Sequence, residues 1–156
     1  MRMIELNTKI GLLKDEYLLL QKFYEDFDAR LITIKGWSAT IGLAAIGGGF
    51  YEDHFLWLFA AGAALVFWII EALWKSFQYK YADRITAIEA TFRSGKFDEI
   101  SPFQIYASWF DAFERSGFGL LDAMKMGVVF FPHAVIFIFG LSLFFLRHFG
   151  VITCGK

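Results

Sequence analysis

Lys35, Glu71 and His133 are the residues of this chain whose types and setting could do chemistry. Each lies within or at the edge of a long apolar run. An ionisable group at membrane depth is costly unless it is paired or hydrated. A turn centred near residue 52.5 would leave Lys35 and Glu71 17.5 and 18.5 positions from it, at nearly one depth. Three readings are open. The two residues form a salt bridge that fixes helix register. Or each reaches for water separately, Glu71 pairing with Lys75 in the favourable helical order. Or both line an ion- or proton-coupled site. His133 follows Pro132 in the third apolar run. It is expected either to bond a carbonyl or a neighbouring helix, or to serve function. Pro132 could kink that helix or, so near its start, disturb it little.

Other chemical groupings are sparse. Glu52, Asp53 and His54 could hold a cation, but a turn and a helix cap account for them. Cys154 is the single cysteine, so the chain alone can build neither an internal disulfide nor a thiolate metal site. There is no G-x-G-x-x-G, P-loop, G-x-S-x-G or paired-histidine zinc motif. We therefore expect no enzyme, no catalytic residues, no cofactor and no metal site. Fifteen basic and 16 acidic residues give a net charge of −1. That balance argues against a nucleic-acid partner, which needs a basic face.

The elements that must position Lys35, Glu71 and His133 are expected to be membrane helices. The chain is 57% hydrophobic and 20% aromatic, with a mean hydropathy of +0.48, above the range of soluble domains. About 20 apolar residues span a bilayer core. Residues 127–146 lack Asp, Glu, Lys and Arg, and residues 55–74 hold only Glu71. A first span, 31–51, is uncharged only from Gly36 and is short unless Lys35 snorkels. We expect a single membrane domain, 1–156, all-α, with three transmembrane helices, the first two forming an antiparallel hairpin. Lys and Arg crowd residues 1–35 and 75–126 and are absent from 51–54. This bias puts the N-terminus in the cytoplasm and the tail 147–156 outside, in a bacterial inner membrane. The polar sequence after Met1-Arg2-Met3 is not what a cleaved signal peptide requires.

The first helix carries a continuous apolar rhythm. Leu6, Ile10, Leu13, Tyr17, Leu20, Tyr24, Phe27, Leu31 and Ile34 alternate 4 and 3 apart, and Ser38, Ile41, Ala45 and Gly48 continue the register. Residues 6–35 thus read as a coiled-coil-like cytoplasmic stalk leading into the first span. The second span is expected to extend likewise through 75–95, on Leu73, Phe77, Tyr81, Ile85, Ile88 and Phe92, stopping at Gly95. Lipid supplies no hydrophobic drive between helices, so close approach of small residues must hold the hairpin. Ser38, Gly42, Ala45 and Gly49 are expected to meet Ala60, Ala61, Gly62, Ala63 and Ala64. Ser101-Pro102-Phe103-Gln104 carries the order of a capping box, predicting an amphipathic helix over 101–116. Its aromatics, with Trp109, Phe110 and Phe113 as anchors, either lie in the headgroup zone or pack on the stalk.

Over residues 6–95 this layout resembles, in outline, the small two-transmembrane effectors of bacterial conflict systems; the third span departs from it. The resemblance implies an effector that acts on the membrane. We expect a homo-oligomer acting through the bilayer as a pore, channel or membrane-perturbing effector, since three helices cannot enclose an aqueous path alone. The alternative is a non-catalytic structural or regulatory subunit of a larger membrane complex, docking a soluble cytoplasmic protein partner.

Overall fold

Fifty residues without a proline, Arg2–Tyr51, form α1. The computed structural model describes residues 2–115 and 117–152, and of Arg2 only the backbone. Helix α2 is Phe55–Ser94; a 3-10 turn, Phe97–Glu99, then precedes α3 (Ile105–Arg115), α4 (Leu120–Lys125), α5 (Gly127–Phe130) and α6 (His133–His148). No described residue lies in a strand. Two helices, α1 and α2, are long and apolar enough to cross a membrane. The chain divides into two compact units, Met1–Ala29 with Ser76–Phe118, and Arg30–Lys75 with Gly119–Lys156.

The inward face of α1 follows the predicted rhythm with a small drift. Leu13, Leu20, Leu31, Ser38 and Ala45 are buried, but Leu6 and Ile41 are exposed. Beyond Ser38 the inward positions are Gly42, Ala45, Ile46 and Gly49, one residue later than the predicted Ile41 and Gly48. A strict 3.5-residue repeat slips against a helix of 3.6 residues per turn. Asp53 ends the break between α1 and α2: its carboxylate accepts the Phe55 N–H at 3.0 Å and its carbonyl accepts that of Leu56 at 3.0 Å.

In the first unit, Leu13 and Leu20 of α1 cluster with Ile85 and Ile88 of α2. The predicted α2 stripe holds there but not at Leu73, Phe77 and Phe92, which are exposed. Ser76, Gln78, Lys80, Arg84 and Thr91 are buried in their place. Polar groups win these positions because acceptors face them. Gln78 donates to the Tyr24 carbonyl and the Asp28 carboxylate, and Lys80 to the Phe118 carbonyl. Phe77 and Phe92 instead support later segments, against Trp109 and Phe97. Gly95, with φ +72°, follows the last residue of α2; a glycine adopts this left-handed conformation without a Cβ clash.

The amphipathic helix begins at Ile105, not at Ser101. The segment before the helix is instead held out of α3 by a tertiary contact through its backbone. The Ser101 carbonyl accepts Arg84 Nη2 at 2.7 Å. The Phe103 N–H donates to Glu16 Oε2 at 2.8 Å, with Phe103 held at φ 63°. The first helical bond runs from Ser108 N–H to the Gln104 carbonyl.

In the second unit, Ala45, Ile46, Trp57, Ala60, Ala64, Ile136 and Leu143 form one cluster drawn from α1, α2 and α6. The third apolar run is not one helix of 20 residues. It breaks at Phe131, whose ψ of 131° is extended. Proline lacks the N–H that a continuing helix needs and pushes the residue before it out of the helical region. Helix α6 has 16 residues, about 24 Å at 1.5 Å per residue, short of a full span.

Candidate functional site

Lys35 and Ser38 lie three positions apart on α1, on one face of the helix. Glu71 lies on the buried face of α2. The break at Phe131–Pro132 sets His133 as the first residue of α6. Within the second unit these four side chains form one chain of hydrogen bonds. Lys35 Nζ donates to Glu71 Oε1. Glu71 Oε2 lies 2.7 Å from His133 Nε2. His133 Nδ1 lies 2.7 Å from Ser38 Oγ. Glu71 and His133 are 0% exposed and Ser38 1%. The Lys35 side chain retains 28% exposure.

The proton positions follow from the partners. An ionised carboxylate only accepts, so His133 Nε2 carries its hydrogen toward Glu71. In the neutral ring Nδ1 is then the acceptor and takes the Ser38 hydroxyl hydrogen; in the charged ring Nδ1 donates to Ser38 Oγ. The order Ser–His–Glu is also that of a nucleophile, its base and an orienting acid. Ser38 is 1% exposed, so no substrate carbonyl reaches its oxygen in this conformation. The network holds charge; it does not present a nucleophile. Among the described residues, every buried side-chain nitrogen or oxygen has a partner.

The structure thus brings Lys35, Glu71 and His133 together and adds Ser38. Sequence reasoning treated His133 apart from the pair and read Ser38 only as a small packing residue. Its three-residue spacing from Lys35 was the available signal. The other small residues divide between two helices. A Cβ on Gly49 would strike the Trp57 indole ring of α2, whereas one on Gly42 would lie 2.6 Å from Ile136 of α6. Gly42 therefore faces α6, not the alanines of α2. The tightest backbone approach is elsewhere: a Cβ on Gly140 of α6 would lie 2.7 Å from the Trp57 carbonyl. Trp57 itself donates Nε1–H to the Ile46 carbonyl at 2.9 Å.

The predicted anchors separate. In the first unit Trp109 packs on α2, donating to the Phe77 carbonyl at 3.3 Å, while Phe110 and Phe113 remain exposed. The same unit holds a second buried ion pair, Arg84 with Glu16, Nε to Oε1 2.8 Å. Sequence reasoning passed over it. Both residues flank apolar seam positions, as do the exposed Glu25, Asp26 and Arg30, so their place in the sequence does not mark them as turned inward. Among the described residues no group of three or more His, Cys, Asp or Glu is placed to hold a metal ion.

Compared with known protein families, with curated proteins and with solved structures, the chain matches none.

Proposed function

We propose that this chain is a small integral membrane protein that self-associates and acts through the bilayer as a channel, pore or membrane-perturbing effector. The observation that carries the membrane part is the set of large apolar side chains left on the surface of the second unit, while ionisable groups lie among its buried residues. Its deepest side chains include Ser38, Glu71 and His133, while Ile32, Leu43, Phe59, Val66, Ile138 and Phe139 are exposed. Only 28% and 33% of the apolar windows of α1 and α2 are buried. The core helix of a water-soluble protein turns its apolar residues inward. These helices turn them outward, as lipid requires.

In this reading residues 31–51 and 55–74 form a spanning hairpin. Residues 127–148 complete the membrane part as two short helices broken at Phe131–Pro132, with His133 just after the break buried against Glu71 and Ser38. The Lys and Arg bias supports a cytoplasmic N-terminus and an inner-membrane location. Self-association is supported by arithmetic: the polar groups of one chain are spent on each other, so a conducting path needs several copies. Exposed aromatics on α3, Tyr106, Phe110 and Phe113, favour a second reading, a regulatory subunit that docks a different protein or lies in the headgroup zone.

Mass determination of the detergent-solubilised complex, with conductance across a planar bilayer, tests the proposal. A homo-oligomer that conducts supports it. A silent monomer overturns it, and a stoichiometric foreign protein transfers support to the subunit reading.

A further inference from the structure

We propose that the Glu71 network is a proton-binding site, in which a proton taken up by His133 releases Lys35 from Glu71. The inference rests on the reading that the second unit lies in lipid. Its starting point is a count of charges. One buried carboxylate stands between two groups able to be cations, Lys35 on Oε1 and His133 2.7 Å from Oε2.

The partner of the second ring nitrogen separates a switch from a structural histidine. A histidine fixed by a backbone carbonyl has one tautomer imposed on it. Here Nδ1 meets the Ser38 hydroxyl at 2.7 Å, and a hydroxyl donates or accepts. While the ring is neutral, Ser38 donates to Nδ1. When a proton arrives at Nδ1, that N–H donates to Ser38 Oγ. The serine hydrogen turns to a carbonyl of the preceding turn, a common bond for serine within a helix. The ring gains a charge and loses no partner.

Charge balance then selects what moves. With neutral His133 the buried set is one ammonium and one carboxylate, net zero. With imidazolium it carries one excess positive charge, which a low-dielectric interior disfavours. Glu71 and His133 are fully buried, whereas Lys35 is 28% exposed on its side chain. Lys35 is therefore the cation that leaves, and its departure removes the ion pair between α1 and α2. The other charged groups of the unit toward this end are Arg30, which lies 5.8 Å over the Trp74 ring, Lys75 one turn past Glu71, and Asp122 and Lys125 of α4. Asp122 accepts the Gly119 N–H.

Nitrogen NMR of the histidine ring and of the Lys35 ammonium, on the full chain in lipid, is the test. The pH series runs from about 5 to 8, where imidazole ordinarily titrates. His133→Gln assigns the signal against His54 and His148. In the wild type, the Lys35 signal is expected to change with the same midpoint as the His133 ring. A Lys35 signal that stays unchanged while the His133 ring gains its proton overturns the proposal; this arm needs no substitution and survives a variant that fails to fold. Failure of the lipid reading shows separately, as protein that does not float with vesicles.

Discussion

Arg84 and Glu16 touch, Nε to Oε1 2.8 Å, with 6% and 2% of their side chains exposed. The pair also organises the chain after α2. Arg84 holds the Ser101 carbonyl and Glu16 the Phe103 N–H. Removing one partner leaves a buried charge uncompensated, at a cost of about 3–5 kcal/mol. Glu16→Gln and Arg84→Met should each lower the unfolding midpoint strongly. Their combination should cost less than the sum of the two, read by denaturant titration as a double-mutant cycle.

The Lys35–Glu71 contact, also between α1 and α2 but within the second unit, obeys the same logic. Lys35→Met strands Glu71 with His133 alone, and Glu71→Gln strands Lys35. Each single change should destabilise the solubilised protein by about 2–4 kcal/mol, and the double change by less than the sum. A double change that equals the sum means the residues do not interact.

Gly140 and Gly62 provide a matched contrast within the same unit. A Cβ at Gly140 would lie 2.7 Å from the Trp57 carbonyl and 3.2 Å from the Ala61 nitrogen, both backbone atoms that cannot swing aside. At Gly62 nothing lies within 4 Å. Gly140→Ala should lose about 1–3 kcal/mol through forced separation of α2 and α6. Gly62→Ala should gain up to about 1 kcal/mol from helix propensity. Thermal unfolding in one detergent reads both.

Tyr24 gives the first unit an alkaline limit. Partial burial, then the charges of Asp28 and Tyr79, hold its hydroxyl above the ordinary value of 10.0. The folded state therefore favours the neutral phenol. That contribution is complete below the unfolded value of about 10 and is lost as pH rises through the raised folded value. Stability should fall above about pH 10. Tyr24→Phe should flatten that part of the profile.

Much of this was legible in the residues. The 4-and-3 spacing from Ile10 to Ala45 marks the inward face of α1 because one helix face repeats near that interval. Counting outward from Asp53 brings Lys35 level with Glu71. His133 was hidden because its depth depends on the break before Pro132, and a 20-residue apolar run masks a break set by one proline. Arg84 and Glu16 were hidden because they are not level in that count; the long arginine side chain covers the offset. Ser101 to Gln104 carries a valid cap signal, but Phe103 between them is held at φ 63° by its bond to Glu16, so the helix starts only at Ile105.

The central claim is that the outward faces of residues 31–74 meet lipid. Leu43 and Val66 are 63% and 55% exposed. Spin labels at single cysteines there, in a Cys154→Ser background reconstituted into vesicles, measure it directly. Relaxation by dissolved oxygen and shielding from a water-soluble nickel chelate are expected at both positions. Fast relaxation by the chelate at both positions would contradict that claim.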